Sequence, residues 1–322
     1  MGQLSENSVI QILRQHGGLR RADVVLGIGD DGAVLQPPPG QHLVQVVDAL
    51  FEGVHFPAGI SGEDLAWRVF GVNLSDIAAM GAQPAWATLV LSMPVAEEQW
   101  VQSFALGLGA CTRAFNTALV GGDTVRGPLG VSLQITGFVP PGQALTRKGA
   151  HPGDGIYLTG KTGLAGAGLA CILGDLQVPD EPPAWRQRFF RPEPRVAQGQ
   201  SLRGLASACL DISDGLLRDL GRLLEASAVG ATLQVQDLPG LAEMASRVGE
   251  ERALALLLSA GDDYELCYTV PREHEAHVAS LGRGWECGST RIGQVTDLEG
   301  IRLIRNEQEI PHPPAGFEHF QT

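Results

Sequence analysis

The sequence is poor in basic residues, and this shortage limits the partners that it can have. Lys and Arg number 23 against 36 Asp and Glu, which gives a formal net charge of −13. Such an acidic surface repels nucleic acid and anionic membranes. We therefore expect neither as a partner, and we expect phosphate groups to be bound only with the help of metal ions.

Cysteine pairs and long apolar runs are also lacking. The five cysteines are scattered and form no C-x-x-C motif, which is typical of small buried side chains in a reducing compartment. The opening Met-Gly-Gln-Leu-Ser-Glu does not resemble a signal peptide, and no apolar run reaches the length of a membrane span. We expect a soluble, cytoplasmic protein.

The length and the glycine content favour a two-domain α/β enzyme. The chain has 322 residues, 42 of them Gly, and strand–loop–helix patterns recur in both halves. The composition changes at Pro140-Pro141-Gly142, and we place a domain boundary in the region of residues 140–153. The predicted domains are residues 1–145 and 146–322.

The segment Gly27–Leu35 carries two adjacent carboxylates, Asp30 and Asp31, on a glycine loop. Glycines let the backbone turn sharply and approach a ligand closely, and crowded carboxylates repel each other unless a cation lies between them. We interpret this loop as the first arm of a site for divalent metal and phosphate. Residues 27–32 also match G-x-G-x-x-G, but a dinucleotide fold needs a helix to begin there, and the prolines at 37–39 prevent one.

Further acids follow predicted strands or lie on a predicted helix. A strand from His42 ends on Asp48, with His55 shortly beyond it. A helix capped by Ser61 carries Asp76 among apolar residues, where a buried carboxylate needs a partner such as a metal ion or a structural hydrogen bond.

Three more turns repeat the combination of acid and small residue. The strand 117–120 runs into Gly121-Gly122-Asp123, a strand ending at Asp211 leads into Ile-Ser-Asp-Gly ahead of the helix 216–226, and 261–263 reads Gly-Asp-Asp. The helix N-terminus after Ser213 and Asp214 could hold an anion, or either residue could be a simple cap. Together the acidic turns predict a site for several Mg²⁺ ions that bridge phosphates.

Residues 155–162 match the Walker A expression, yet the physical pattern contradicts a P-loop. Its four inner residues must curl around phosphate, whereas Ile-Tyr-Leu-Thr is typical of a strand. A helix is predicted over 164–173, a loop or short irregular helix within 179–194, and short strands around Ile292 and Ile301.

Taken in order, these motifs resemble those of the thiamine-monophosphate kinase family. They are GIGDDGAV, Asp48 with EGVHF, VNLSDIAAMG, GGDTVRGP, LTRKGA, DISDGL and GDDYEL. The resemblance implies an ATP-dependent kinase that makes thiamine diphosphate. It also implies the two-domain α/β (α+β) fold of the aminoimidazole ribonucleotide synthetase superfamily, a homodimer formed by the N-terminal domain, and ATP bound without a P-loop.

The resemblance also implies roles for particular residues. The magnesium ligands would be Asp31, Asp48, Asp76, Asp123, Asp211 and Asp214, with Asp30 ranked below Asp31. Gly122, Asp123, Arg147 and Ser213 would contact ATP. His55, Asp262 and Phe317 would contact thiamine monophosphate, Phe317 by stacking. We expect no catalytic residue beyond these metal ligands, and no covalent nucleophile.

Four positions depart from the family pattern. Val46 and Val47 replace hydroxyl residues before Asp48, Ala105 replaces an aromatic residue near adenine, and Asp262 is one methylene shorter than the usual Glu.

Two alternatives stay open. One is a related synthetase or selenophosphate-forming enzyme, although no Cys precedes Cys111. The other is a non-enzymatic metal-binding module, although calcium ligands usually lie within one short loop.

Overall fold

The computed structural model describes residues 2–313, and their contacts divide the chain into two compact units. Residues up to Ile77 together with Ala82–Gly142 form unit 1, and Ala78–Gly81 together with residues from Gln143 onward form unit 2. None of the helices in residues 2–313 combines the length and the apolarity that a bilayer span requires.

Unit 1 is built from three helices and six strands within its described residues. In chain order they are α1 (Glu6–Gly17), β1 (Val24–Leu26), β2 (Val34–Leu35), β3 (His42–Phe51), α2 (Gly62–Ala79), β4 (Gln83–Met93), α3 (Glu98–Ala114), β5 (Ala118–Arg126) and β6 (Gly130–Val139).

The larger sheet of unit 1 has the order β3-β6-β4-β5, in which only β4 and β5 run parallel. Ser61 caps the start of helix α2, because the Asp64 N–H donates to Ser61 Oγ (3.1 Å), and Ser61 Oγ in turn donates to the Asp64 carboxylate (2.8 Å). Leu65, Val69 and Ile77 on α2 are fully buried, so this helix forms much of the core of the unit.

Unit 2 contains a seven-stranded sheet and seven helices in the part that the structure describes. The elements are β7 (Gly155–Thr159), α4 (Leu164–Leu173), α5 (Pro183–Phe190), α6 (Val196–Ser201), β8 (Ala208–Asp211), α7 (Leu216–Ser227), β9 (Gly230–Gln234), a 3₁₀ turn (Val235–Asp237), α8 (Leu241–Val248), α9 (Glu250–Ser259), β10 (Leu266–Val270), α10 (Glu275–Gly284), β11 (Ser289–Thr296), β12 (Gly300–Arg305) and β13 (Gln308–Ile310).

The sheet of unit 2 has the order β13-β12-β9-β11-β7-β10-β8, and only β12 and β9 pair in parallel. Strands β7, β8 and β10 are buried along their whole length. Helix α7 packs a leucine stripe onto this sheet, as its spacing predicts, and its buried residues include one acid, Asp219.

The predicted strands were too short at two site positions. Strand β3 continues through Asp48 to Phe51, and β5 continues through Gly122 and Asp123 to Arg126, so neither acid ends a strand. Both continuations occur because β3 and β5 remain paired with β6 and β4 along these residues. Helix α10 and strand β13 were not predicted, whereas the helix at 164–173 and the Ile-Tyr-Leu-Thr strand are confirmed.

The proline-rich segment 179–194 was predicted to be either a loop or a short irregular helix. It contains a short helix, α5. Trp185 and Phe189 anchor it in the interior. After α5, Arg195 forms a buried bidentate ion pair with Glu265, the residue before β10. Arg195 Nε donates to Glu265 Oε2 at 2.7 Å, and Nη2 donates to Oε1. Thr159 Oγ1 also donates to Glu265 Oε2 at 2.7 Å, so this carboxylate joins α6, β7 and β10.

We expect Glu265→Gln to lower the free energy of unfolding by about 3–5 kcal/mol, because it removes the buried charge partner of Arg195 and leaves only the exposed Glu193 at 3.2 Å. Urea denaturation measures this. Glu181→Gln, at the exposed pair with Arg186, is the control and should cost about 1 kcal/mol or less. Equal losses in the two variants would contradict a structural role for the buried pair.

Candidate functional site

The Gly-Asp-Asp-Gly loop connects β1 to β2, which form a small antiparallel hairpin. Asp30 and Asp31 are exposed, and the Asp31 N–H donates to Asp30 Oδ1 at 2.9 Å. Since no helix begins between β1 and β2, the dinucleotide fingerprint is excluded, as the prolines predicted.

Asp48 and Asp76 lie in carboxyl–carboxyl contact, one on β3 and the other on α2. Burial raises the pKa of Asp48, and a hydrogen bond with the Asp76 carboxyl group partly lowers it. Asn73 Oδ1 accepts the Asp48 N–H at 3.1 Å and therefore fixes the strand against the helix at this point. Two carboxyl groups in contact must share a proton or a cation.

Gly122 and Asp123 lie inside β5. A Cβ on Gly122 would approach Leu89 O to 1.8 Å, so only glycine fits there, at φ +148°. Asp123 is exposed, and its Oδ1 accepts the Thr124 N–H at 2.8 Å. Strands β6 and β4 separate β5 from β3, and the strand register places Asp123 on the opposite face of the sheet from Asp48.

His55 lies in the tight turn that follows β3. Its Nδ1 accepts the Phe51 N–H at 3.1 Å, which leaves the proton of the neutral ring on Nε2. The buried guanidinium of Arg68 donates to the His55 carbonyl from Nε (3.2 Å) and Nη2 (3.0 Å). The ring and the backbone of His55 are thus both held from within unit 1.

The turn from Asp211 to Gly215 joins β8 to α7. The N–H groups of Ser213 and Asp214 both donate to Asp219 Oδ2, at 2.9 and 2.8 Å. These two N–H groups are therefore occupied by a carboxylate of the protein itself, and the N-cap of α7 is Gly215 rather than Ser213 or Asp214. Binding of a ligand anion at this turn stays a prediction. Asp211 is buried at the end of β8, as predicted.

Asp219 is held on its other side by Arg222. Arg222 donates from Nη1 to Asp219 Oδ1 (2.6 Å) and from Nη2 to Asp214 Oδ2 (2.7 Å). Burial raises the pKa of Asp219 to about 6, opposed by the Asp214 N–H and then by Arg222, while the charges of Asp211 and Asp214 add to the rise.

The Gly-Asp-Asp turn packs against this same segment. The Asp262 N–H donates to Ser213 O and the Tyr264 N–H donates to Ile212 O, both at 2.8 Å. Tyr264 Oη donates to Asp262 Oδ1 at 3.0 Å. Asp262 and Tyr264 both have positive φ (69° and 52°), strained backbone that functional turns often carry.

Asp263 has a separate structural task, which also explains why the Walker A match is accidental. Its buried carboxyl group accepts the N–H groups of Gly163 (2.6 Å) and Ala165 (3.3 Å) at the start of α4. Burial raises the pKa of Asp263 well above its ordinary value, and these two N–H groups oppose the rise. The position that a phosphate occupies in a P-loop is thus filled by a side chain, and Lys161 forms an exposed pair with Glu243 (2.8 Å).

Arg147 is exposed, while its backbone is held by Ser227, whose Oγ donates to Arg147 O at 3.1 Å. Ala105 is fully buried in α3, and Val47 is exposed on β3. Phe317 lies outside the described residues.

The donor chemistry suits Mg²⁺, which prefers carboxylate oxygens. Within residues 2–313 no three acid, imidazole or thiol groups converge as a metal site. The carboxylates occur instead as the contact pair Asp48–Asp76 and as Asp214, which already holds a guanidinium cation. Both groups offer the carboxylate oxygens that Mg²⁺ prefers, and Asp214 is paired with Arg222 in this structure.

Sequence reasoning missed the residues that support the site. Arg68, Asp219 and Arg222 resemble ordinary helix residues, and no motif marks them; Asp263 lies in the Gly-Asp-Asp motif, but its structural role was not predicted. Only the position of Asp219 in the first turn of α7 could have been noticed, because an acid there favours a helix N-terminus.

We expect Asp76→Asn to raise metal-free stability by about 1 kcal/mol, because an amide can donate to Asp48 where two carboxyl groups now compete. The stabilisation that Mg²⁺ gives should shrink at the same time. Thermal denaturation with and without Mg²⁺ measures both effects. Asp123→Asn, at an exposed position, is the control for metal-free stability, and a destabilised Asp76→Asn would contradict the repulsion.

Comparison with known proteins identifies the fold. Residues 29–139 match the family model "AIR synthase related protein, N-terminal domain", and residues 151–306 match "AIR synthase related protein, C-terminal domain". The expected two-domain α/β fold of this superfamily is thereby confirmed.

Individual relatives cover almost the whole chain. A thiamine-monophosphate kinase of Escherichia coli K12 is 46% identical over 309 residues, which are 94% of this chain and 94% of that protein. The crystal structure of thiamine-monophosphate kinase from Stenotrophomonas maltophilia K279a is 40% identical with a TM-score of 0.84, covering 94% of this chain and 97% of that one.

A second solved structure is that of AaThiL complexed with AMPPCP and TMP, which is 28% identical with a TM-score of 0.75 and covers 99% of both chains. With both domain models matched and relatives this similar over nearly their full length, the chain belongs to the thiamine-monophosphate kinase family of AIR synthase related proteins.

Proposed function

We propose that this chain transfers the γ-phosphoryl group of ATP to thiamine monophosphate and so makes thiamine diphosphate in thiamine biosynthesis. The observation that carries this proposal is the 46% identity, over 94% of both chains, to a thiamine-monophosphate kinase. The relative complexed with TMP and AMPPCP, an ATP analogue, supports the same pair of substrates.

Several Mg²⁺ ions are the proposed cofactors, and when bound they neutralise phosphate charge and orient the reacting groups. Their ligands would be drawn from Asp31, Asp48, Asp76, Asp123, Asp211 and Asp214, with Asp30 as a neighbour of lower rank. The contact between Asp48 and Asp76 and the exposure of the loop acids support this assignment.

Substrate contacts are proposed for two further groups of residues. Gly122, Asp123, Arg147 and Ser213 would contact ATP, where the exposed Arg147 guanidinium offers a fork for phosphate oxygens. His55, Asp262 and Phe317 would contact thiamine monophosphate. With its proton on Nε2, a neutral His55 could donate a hydrogen bond to a substrate oxygen.

The proposed transfer is direct and in line. The acceptor is a phosphate monoester that is largely ionised near neutral pH, so it needs no strong general base. The acids are assigned to metal and His55 to the acceptor, which leaves no nucleophile for a covalent intermediate. Positioning and charge stabilisation then supply the rate enhancement.

A homodimer through unit 1 is also proposed. Leu43, Val47 and Phe51 alternate along one face of the edge strand β3 and are 50%, 66% and 44% exposed. By register Val90 on β4 shares this face and is 43% exposed. An apolar sheet face of this kind is typical of a surface that a second copy covers.

The free cysteines agree with a cytoplasmic location.

Incubation with γ-labelled ATP and Mg²⁺ tests the reaction and its route together. Without acceptor we expect no label on the protein, and with thiamine monophosphate we expect one label per thiamine diphosphate formed. Asp76→Asn should abolish this transfer. Stoichiometric label on the protein that moves to thiamine diphosphate would contradict direct transfer, and no labelled product at all would contradict the proposed function.

The accidental Walker A match predicts that Lys161→Ala changes the Kd for ATP by less than about twofold, whereas Arg147→Ala raises it about tenfold or more, as expected for a lost charge-assisted hydrogen bond. Equilibrium binding of ATP measures both. Lys148→Ala, next to Arg147, controls for the loss of one positive charge. A large effect at Lys161 with none at Arg147 would reverse the assignment.

A further inference from the structure

Arg222 bridges two acids of unit 2 whose surroundings differ. Nη1 lies 2.6 Å from Asp219 Oδ1, and Nη2 lies 2.7 Å from Asp214 Oδ2. The Asp219 side chain is 2% exposed and the Asp214 side chain is 25% exposed. The guanidinium therefore joins a buried anchor to a carboxylate that solvent can reach.

Asp219 contacts both the backbone of the turn and the Arg222 guanidinium. Its Oδ2 accepts the backbone N–H groups of Ser213 and Asp214, and its Oδ1 faces Arg222. The same carboxylate thus orients the backbone of Asp214 and places the arginine that contacts the Asp214 side chain. Planar guanidinium groups suit such a two-point contact better than an ammonium does.

Arg222 contacts the two acids through different nitrogens, Nη1 for Asp219 and Nη2 for Asp214. Its side chain is 36% exposed, so solvent reaches the guanidinium. Arg218 also faces Asp214, but Nε lies 3.8 Å from Oδ2, which is an ion pair without hydrogen-bond distance. The strong cationic contact of Asp214 in this structure is therefore that of Arg222.

We propose that Arg222 is the resident counter-cation of Asp214 and that it competes with Mg²⁺ for this carboxylate. The inference rests on the proposed function, in which Asp214 is a metal ligand. A divalent ion that binds Asp214 Oδ2 must displace Nη2 or share the oxygen with it, and the positive charge of Arg222 opposes a second cation nearby. Arg222 would keep the turn ordered between binding events while weakening metal affinity.

Competition and a purely structural role predict opposite changes in metal affinity when Arg222 is replaced. If Arg222 only supported the fold of the turn, its removal would loosen Asp214 and weaken metal binding. If it competes with the metal, its removal strengthens metal binding even though metal-free stability falls. The direction of the change in metal affinity therefore separates the two.

The test is Mn²⁺ binding to the full-length protein, followed by the loss of the free Mn²⁺ signal in electron paramagnetic resonance, without nucleotide or thiamine monophosphate. For Arg222→Gln we expect the Kd of the affected site to fall about fivefold, equivalent to about 1 kcal/mol for a partly exposed ion pair. Arg218→Gln removes the same charge at 3.8 Å and should change the Kd less than twofold.

A double variant confines the effect to Asp214. In an Asp214→Asn background, Arg222→Gln should leave the remaining Mn²⁺ binding unchanged. Arg222→Lys guards against loss of folding in the Gln variant, because it keeps the charge near Asp219 but cannot bridge both carboxylates. It should bind Mn²⁺ about twofold more tightly than the original chain.

Unchanged or weaker Mn²⁺ binding in folded Arg222→Gln, or in Arg222→Lys if the former does not fold, would overturn the proposal. An equal gain in Arg218→Gln would overturn it too, since that would indicate a general charge effect. Because no substrate is present, a chain that binds Mn²⁺ as predicted but makes no thiamine diphosphate would contradict the proposed function alone.

Discussion

Repulsion between neighbouring carboxylates is the constraint on which this structure depends. The chain places acids in contact and supplies few bases to balance them, so each acid needs a hydrogen-bond donor, a proton or a cation. Asp48 and Asp76 meet this need with each other, in a contact that a divalent ion would relieve.

Unit 2 meets the same constraint with its own groups. Glu265 is neutralised by Arg195, Asp263 by two N–H groups at the start of α4, and Asp219 by two N–H groups and Arg222. These internal pairings divide the acids into two classes. Asp219, Asp263 and Glu265 are buried and support the fold. Asp214 and Asp262 lie at more exposed turns.

The sequence was most informative where local physics decides the structure. The Ser61 cap, the helix over 164–173 and the strand character of residues 156–159 were all predicted correctly, because each depends on near neighbours. Glycine misled the prediction at β5. Gly122 was interpreted as part of a turn, but it is needed because Leu89 O approaches too closely for a side chain.

The candidate site was predictable only in part, for a related reason. The set of motifs supplied the candidate acids, whose roles stay a prediction, and the order of those motifs identified the family. The positions of the acids in space depend on pairings far apart in sequence, such as Asp263 with Gly163 and Asp48 with Asp76. The supporting residues Asp219 and Arg222 carry little signal, since an acid in a first helical turn, and an acid and a base three residues apart, are typical of any exposed helix face.

The Asp48–Asp76 pair of unit 1 and Asp214 of unit 2 are proposed to bind divalent ions. Anomalous diffraction from crystals of the full-length protein grown with Mn²⁺ and AMPPCP tests this proposal most directly. The account predicts Mn²⁺ peaks within about 2.5 Å of carboxylate oxygens of the Asp48–Asp76 pair and of Asp214. Peaks confined to the nucleotide phosphates, with no protein carboxylate in contact, would contradict it.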